Sequence, residues 1–286
     1  MPFFSIIIPC YNRAPQITHT LKSLLEQTYQ DFEIVVVDDG STDNTKNVLK
    51  SYIEKSQLKY IYQENAGVSV ARNKGTTIAN GNYFVFLDSD DKVEKNWLKD
   101  FYDVIISEKA SIVYCSMKKV DKNGKIILVN SKKPYKKSNS KGIINTGSWV
   151  IEQSKFFEAG MYDEQLKFGE NTELRIRLDK MNLSTGFVDN FNFIYNLSDS
   201  VGSQNNQNKL DSILYTLDKH SLYFNRNPRL KKLQLQTAAV AAIKLGMYQK
   251  GNQIFKKALL ENKTNLKLWL QYLISSNTFF IKLIWK

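Results

Sequence analysis

The chain has 286 residues and a formal net charge of +12, from 40 Lys and Arg against 28 Asp and Glu. Its 42% hydrophobic and 24% charged residues are typical of a globular protein and exclude collagen, low-complexity disorder and a disulfide scaffold. Two cysteines and two histidines argue against a Cys- or His-rich metal site and favour a reducing compartment. We expect no signal peptide, and no transmembrane helix because no stretch of about 18 uncharged apolar residues occurs.

The first hundred residues alternate between apolar strand patterns and helical patterns. Strands are predicted over 4–9, 32–38, 58–62 and 83–87, and helices over 14–27, 43–56 and 67–80. This alternation with short loops predicts an α/β fold with a mostly parallel, doubly wound sheet. Because ligands of such sheets bind beyond the carboxyl ends of the strands, the candidate site lies in the loops that follow Ile8, Val37 and Leu87.

Six carboxylates lie in two of these loops, within 38–43 and 88–91. They would repel one another unless a cation joined them, and hard oxygen ligands select Mg²⁺ or Mn²⁺. In a nucleotide-binding crevice such an ion bridges a diphosphate and neutralises the departing phosphate. Taken singly, each acidic segment is also typical of a turn followed by a helix cap. Arg72, in the third helix, can reach a phosphate or form a surface ion pair.

The pattern between residues 101 and 205 is less regular. A strand is predicted at 110–115, and a hairpin turn at Asn123-Gly124 joins strands at 117–120 and 125–129. The lysine-rich segment 131–141 is predicted to be a mobile loop that can close over a ligand. Trp149 is a candidate ligand-contact residue, with core packing as the alternative.

The C-terminal region has a different composition. Residues 226–286 contain twelve Lys and Arg and one acid, and helices are predicted over 211–223, 230–245 and 248–260. The tail from Leu266 to Trp285 mixes aromatic residues with lysines. This mixture predicts a helix lying on an anionic membrane surface, with packing on the helical hairpin or on a second subunit as the alternative.

Four segments follow one another in a characteristic order. They are Ser5–Asn12 (SIIIPCYN), Val36–Asp43 (VVDDGSTD), Glu64–Asn73 (ENAGVSVARN) and Phe86–Asp91 (FLDSDD). Each is weak alone, but together they resemble the family-two inverting glycosyltransferases of GT-A fold, of the bacterial glycan type, over about residues 3–200. The resemblance implies a UDP-sugar donor, a Mn²⁺ or Mg²⁺ ion, and transfer of a hexose or N-acetylhexosamine to a glycan or lipid-linked oligosaccharide.

The resemblance also implies roles for single residues in the donor site. An acceptor-only carboxylate suits the N3–H of uracil, which donates a hydrogen bond that cytosine N3 cannot donate. The implied residues are Pro9 and Tyr11 flanking the base, Asp39 on the uracil, Arg72 on the diphosphate, Asp88 on the ribose or sugar, Asp90 on the metal and Asp91 on the donor sugar.

The candidate catalytic base departs from the family pattern. The family has Glu-Asp at the start of a helix, with the Asp as base, but here the Asp position is Asn171 and an amide cannot take the proton. Glu170 is the favoured base, and Glu173 is the alternative if the register is shifted. A His common in relatives is absent from 195–200, where Ser198 and Asp199 are the remaining oxygen donors, so the third metal ligand stays open.

These observations predict a GT-A catalytic domain over 1–205, with a nucleotide-sugar half (1–100) and an acceptor half (101–205). In the acceptor half, the loop 131–141 is expected to close over the donor or acceptor, and Trp149 is the candidate acceptor residue because an indole stacks on a sugar ring. A basic helical region follows over 206–286. We expect a peripheral enzyme on the cytoplasmic face of the cell membrane, with no nucleic-acid partner. The oligomeric state is not assigned. The alternative function is a catalytically impaired nucleotide- or glycan-binding module, because Asn171 occupies the position of the usual base. A nucleic-acid-binding protein is disfavoured because the lysines are not interleaved with aromatic residues.

Overall fold

The computed structural model describes residues 1–55, 57–121, 124–130, 145–196, 205–261, 269–270 and 272–273. Contacts divide the chain into two compact units. The first unit is Met1–Glu164 with Arg177–Asp199, and the second is Gln165–Ile176 with Ser200–Lys286. The predicted loop at 131–141 and most of the predicted membrane tail lie outside the described residues.

The first unit is built on one sheet. Its strands are β1 (Phe4–Cys10), β2 (Phe32–Asp39), β3 (Lys59–Gln63), β4 (Tyr83–Phe86), β5 (Lys92–Val93), β6 (Ile112–Val120), β7 (Ile126–Asn130), β8 (Trp149–Glu152) and β9 (Thr185–Asn196). Their order is β3-β2-β1-β4-β8-β6-β9-β5, and β7 pairs with β6. Strands β1 to β4 are parallel, whereas β8 runs antiparallel to both of its neighbours.

Helices connect these strands and continue into the second unit. They are α1 (Ala14–Leu25), α2 (Thr45–Glu54), α3 (Val68–Ile78), α4 (Trp97–Glu108), α5 (Gln153–Glu158), α6 (Glu170–Leu178), α7 (Asn206–Lys219), α8 (Ser221–Asn225), α9 (Pro228–Lys244) and α10 (Tyr248–Leu260). The predicted α/β sheet with helices after it is therefore confirmed. The predicted β6–β7 hairpin is also confirmed, with Met117 opposite Asn130 and Val120 opposite Ile126.

The core explains why the central strands are apolar without alternation. Strand β1 is buried at every position, because a strand at the centre of a covered parallel sheet has no solvent face. Helix α1 buries Ile17, Leu21 and Leu24, which lie on one face at helical spacing. Burial of each such side chain stabilises the fold by about 1.5–3 kcal/mol.

Two helix starts differ in detail from their prediction. Helix α2 begins at Thr45 rather than at Asp43. The Asp43 carboxylate accepts hydrogen bonds from the amides of Thr45 (2.9 Å) and Ala14 (3.2 Å), so it ties the start of α2 to the start of α1. Helix α3 begins after Gly67, whose φ of +98° lies in the region that favours glycine.

The second unit is helical. Its hairpin of α9 and α10 agrees with the predicted pair of helices, and Gly246 (φ +77°) lies in the turn between them. At Gly251 a Cβ would lie 2.6 Å from Ile243 Cγ1, so glycine permits the close approach of the two helices. The predicted helix over 211–223 is instead α7 and α8, and Asn205 caps α7 by accepting from Asn208 N. Within the described ranges, no helix is both long enough and apolar enough to cross a bilayer.

Candidate active site

The loops after β1 and β2 are joined into one piece at the carboxyl edge of the sheet. Asn12 holds a left-handed conformation (φ +52°), which Asn tolerates better than most residues. Its Oδ1 accepts hydrogen bonds from Thr42 N (2.8 Å) and Asp43 N (3.2 Å), and its own N–H donates to Ser41 Oγ (2.9 Å). This arrangement fixes the position of the neighbouring residues Tyr11 and Arg13.

Asp38 is a structural acid. Its two oxygens accept from Ser41 N and from the Tyr60 hydroxyl, both at 2.8 Å, and the residue is buried. Burial is the largest cause that raises the pKa of Tyr60, and the hydrogen bond to Asp38 and the charge of Asp38 add to it. Tyr60 therefore stays a neutral donor. Burial, followed by the charge of Asp38, also raises the pKa of the Cys10 thiol to about 12, which leaves that thiol unreactive.

Asp39 anchors the segment that leads into α3. Its Oδ1 accepts from Gln63 Nε2 (2.7 Å) and Ala66 N (2.8 Å), and its Oδ2 accepts from Gly67 N (2.9 Å). A carboxylate has about four acceptor positions, so these three bonds leave about one for a ligand. The candidate uracil-binding residue is therefore held rigidly by the chain itself.

Arg72 and Asp88 form a partly buried ion pair. Arg72 is only 2% exposed, and its Nη2 lies 2.8 Å from Asp88 Oδ1. Its guanidinium also lies over the Tyr162 ring, 5.1 Å from the centroid. Thr146 Oγ1 donates to the other oxygen of Asp88 at 2.7 Å. The structure thus brings the two predicted residues together, and Thr146 is a site residue that sequence reasoning missed.

The acidic loop after β4 is held from two sides. Thr20 Oγ1 lies within hydrogen-bond distance of the carbonyls of Ser89 (3.0 Å) and Asp91 (2.8 Å). Asn196 donates through its N–H to Asp91 Oδ1 (2.9 Å) and through its side chain to the Asp90 carbonyl (2.6 Å).

Among the described residues Asp91 Oδ2 has no hydrogen-bond partner. Burial, then the charges of Asp88 and Asp90, raise the pKa of Asp91 well above its ordinary value.

Arg13 is a second cation that sequence reasoning missed. Its Nη2 lies 3.7 Å from Asp90 Oδ2, and the two side chains are 28% and 13% exposed. The sequence signal was present, since Arg13 follows the Pro-Cys-Tyr-Asn segment directly. Arg13 therefore lies where it can neutralise Asp90 or a phosphate.

The site fits a cation only if a ligand supplies part of the coordination. In the part of the chain that the structure describes, no cluster of three or more His, Cys, Asp or Glu residues could hold an ion. Both oxygens of Asp88 are bonded to protein groups, and Asp91 is buried. Asp90 would then hold a hard cation together with oxygen atoms of a bound ligand. The other proposed donors, Ser198 and Asp199, lie outside the described residues.

The three remaining residues of the predicted sugar and base sites differ in accessibility. Pro9 is buried in β1, opposite Val37 of β2, and the Tyr11 side chain after it is 46% exposed. Trp149 is completely buried in β8, and its ring packs at 5.7 Å from Phe86. A buried indole has no face for a sugar, so the expected acceptor role of Trp149 is corrected to core packing.

The two base candidates lie in the second unit, on the first turn of α6. Glu170 is half-buried, and the Asn171 amide donates to its Oε1 at 3.2 Å. Glu173 is completely buried, and its Oε1 lies 2.9 Å from both Lys219 Nζ and His220 Nε2. Glu173 is thus engaged in an ion pair inside the protein, whereas Glu170 is partly accessible.

The four motifs lie within a segment, residues 5–162, that matches glycosyl transferase family 2. The chain belongs to this family. GlyA, a glycosyltransferase of Streptococcus pneumoniae, is 42% identical over 109 residues, which are 38% of this chain and 16% of that protein. An uncharacterized glycosyltransferase of Rickettsia felis is 34% identical over 62% of this chain and 31% of its own length. RT0329 of Rickettsia typhi is 33% identical over 60% of this chain and 57% of its own length.

The matches thus span less than two thirds of these curated relatives. Among solved structures, Staphylococcus aureus TarS 1–349 in complex with UDP-GlcNAc has a TM-score of 0.60 and 22% identity. That alignment covers 99% of this chain and 81% of the TarS chain. The likeness confirms the predicted GT-A fold.

Proposed function

We propose that the protein is an inverting glycosyltransferase. It transfers a hexose or an N-acetylhexosamine from a UDP-sugar to a hydroxyl of a glycan or a lipid-linked oligosaccharide, with Mn²⁺ or Mg²⁺. The observation that carries the proposal is the grouping of Asp39, the Arg72–Asp88 pair and Asp90 at one edge of a GT-A sheet. The complex of TarS with UDP-GlcNAc supports a UDP-linked donor.

In this proposal the uridine lies between Tyr11 and Asp39. The half-exposed Tyr11 ring flanks the base beside the backbone of Pro9, and the remaining acceptor position of Asp39 receives uracil N3–H. Because three internal hydrogen bonds hold Asp39, the carboxylate is preorganised and does not have to reorient when the nucleotide binds.

Arg72 and Arg13 supply positive charge for the diphosphate. Arg72 is fixed against Asp88, and Arg13 lies beside Asp90, so both guanidinium groups are next to acids that would otherwise repel the donor. Asp88, which is partly exposed, then contacts the ribose or the sugar, whereas Asp91, which resembles a sugar contact by its place in the motif, is buried and holds the loop through Asn196. A cation held by Asp90 would neutralise the charge that develops on the departing UDP.

Glu170 acts as the base in this proposal. Its carboxylate takes the proton of the acceptor hydroxyl while that oxygen attacks C1 of the sugar, opposite the bond to UDP that breaks. The configuration at C1 is therefore inverted, which gives a β-linkage from an α-linked donor. Asn171 donates to Glu170 Oε1 and orients the carboxylate.

We further propose a peripheral location at the inner face of the cell membrane. Three apolar side chains of the C-terminal segment, Trp269, Leu270 and Leu273, are exposed in a region rich in lysine. Rings and aliphatic chains of this kind enter the interface of an anionic bilayer. A lipid-linked acceptor would be presented at that surface.

Calorimetric titration with UDP, with and without Mn²⁺, tests the donor site. We expect metal-dependent binding to the wild type and loss of the metal dependence in Asp90→Ala, while the surface variant Asp103→Ala binds as the wild type does. Absence of UDP binding in both conditions would refute the UDP-sugar proposal. Sugar transfer by the wild type but not by Glu170→Gln would separate an active enzyme from an impaired binding module.

A further inference from the structure

A buried ionic cluster in the second unit has no part in the donor site described above. Glu173 Oε1 lies 2.9 Å from Lys219 Nζ, at the end of α7, and 2.9 Å from Nε2 of the next residue, His220. Glu173 is completely buried, and the side chain of His220 is 5% exposed. Since a carboxylate only accepts, Nε2 of His220 carries the hydrogen, and the Lys219 ammonium supplies the charge that a buried acid requires.

Further contacts join the segment before α6 to the same helix. The amide of Lys167 donates to Ser212 Oγ at 3.3 Å, and Lys209 Nζ lies over the Phe168 ring, 5.7 Å from its centroid. In agreement, Gln165–Ile176 belongs to the second unit with the C-terminal helices, although the parts of the chain directly before and after it belong to the first unit. The C-terminal helices therefore hold the segment that carries Glu170.

Helix α6 needs such an anchor because it has only nine residues. A helix of this length is marginal by itself, so its position is set by tertiary contacts. Glu173 is three residues after Glu170, and side chains at this spacing are neighbours on a helix surface. A bond that fixes Glu173 thus fixes the first turn, where Glu170 lies.

We propose that Glu173 is a positioning residue, which Lys219 and His220 hold in place so that α6 presents Glu170 to the acceptor hydroxyl. The inference rests on the proposed function, in which Glu170 is the base. The C-terminal end of α7 and the residue after it thereby help to position the base, since they supply both partners of Glu173. Misplacement of a catalytic group by about 1 Å lowers the rate by up to about 100-fold.

The test compares Glu173→Gln with Glu261→Gln in the full chain. Gln keeps the size of the side chain and an acceptor for His220 but removes the charge that pairs with Lys219. Glu261→Gln is the matched control, because it breaks the Lys231–Glu261 pair (2.6 Å) of the same unit, which does not involve α6. We expect kcat to fall about 10- to 100-fold in Glu173→Gln, with the KM for the UDP-sugar and the Kd for UDP unchanged. The control keeps the wild-type kcat.

Hydrogen exchange of the free protein gives a second measurement that needs no turnover. In Glu173→Gln the amides of 170–176 should exchange at least about tenfold faster, while those of α9 keep the wild-type rate. Equal kcat and equal exchange in Glu173→Gln and wild type would refute this inference alone, as would a parallel loss of UDP binding. A wild type that binds UDP but transfers no sugar would refute the proposed function, and with it the inference.

Discussion

Nη2 of Arg72 lies 2.8 Å from Oδ1 of Asp88, and this pair links α3 to the loop after β4. Arg72 is buried, and the Asp88 carboxylate compensates its charge. Thr146 binds the second oxygen of Asp88, which fixes the carboxylate towards Arg72. The pair is therefore formed before any donor binds, and a diphosphate would meet an arginine that is already oriented.

Removing the charge of Asp88 should destabilise the fold. Asp88→Asn removes the carboxylate charge next to the buried Arg72 guanidinium, and we expect the free energy of unfolding in urea to fall by about 1–3 kcal/mol, less than for a fully buried pair because Asp88 is partly exposed. The matched control is Asp103→Asn, which breaks the exposed Lys99–Asp103 pair and should cost less than about 0.5 kcal/mol. Equal effects of the two variants would contradict the assigned role of Asp88.

Asp39→Asn should weaken the discrimination between uracil and cytosine. An amide offers one acceptor and one donor group, so the side chain introduced by this substitution can donate to cytosine N3, which the carboxylate cannot do. We expect the ratio of the Kd for CDP to that for UDP to fall about tenfold or more in titration calorimetry. The free energy of unfolding should also fall by about 1–3 kcal/mol, since Asp39 accepts hydrogen bonds from the amides of Ala66 and Gly67. An unchanged ratio would show that Asp39 does not contact the base.

Glu33 should contribute stability that depends on pH. Burial alone would raise its pKa, but hydrogen bonds from Lys59 and Ser5 (both 2.6 Å) and from Asn80 N outweigh burial and lower the pKa below its ordinary value of 4.5. The stabilisation is therefore complete above pH 4.5 and is lost as the pH falls through the lowered pKa. In urea unfolding we expect Glu33→Gln to lower the free energy of unfolding by about 1–2 kcal/mol at pH 7 and by progressively less in more acidic buffer. A difference that does not vary with pH would contradict this account.

The sheet and most helices were predictable because local patterns determine them. The apolar runs of β1 and β2 indicate buried strands wherever the chain later packs, and Gly67 and Gly246 mark helix boundaries. The cluster of carboxylates at one edge followed from the parallel arrangement of β1, β2 and β4. That part of the site needed only strand order and direction.

The roles of adjacent acids were not predictable in the same way. Asp38 and Asp39 are both acidic and both buried, yet Asp38 accepts from Tyr60 and Asp39 accepts from Gln63, each more than twenty residues later in the chain. Glu173 is the alternative base by its place in the sequence, but its carboxylate contacts Lys219 and His220, which lie more than forty residues later in the chain. Long-range partners decide which acid is structural, and one sequence does not reveal them.

Arg13 should reduce the dependence of UDP binding on metal. Its guanidinium lies 3.7 Å from Asp90 Oδ2 and offsets part of the charge that repels a diphosphate. Without Mn²⁺ we expect Arg13→Gln to bind UDP about tenfold more weakly than wild type in titration calorimetry. With saturating Mn²⁺ the difference should shrink, because the ion takes over the neutralisation of Asp90. Arg13→Lys keeps the positive charge and should retain most of the affinity, whereas equal affinities of Arg13→Gln and wild type in metal-free buffer would exclude a role for Arg13 at the diphosphate.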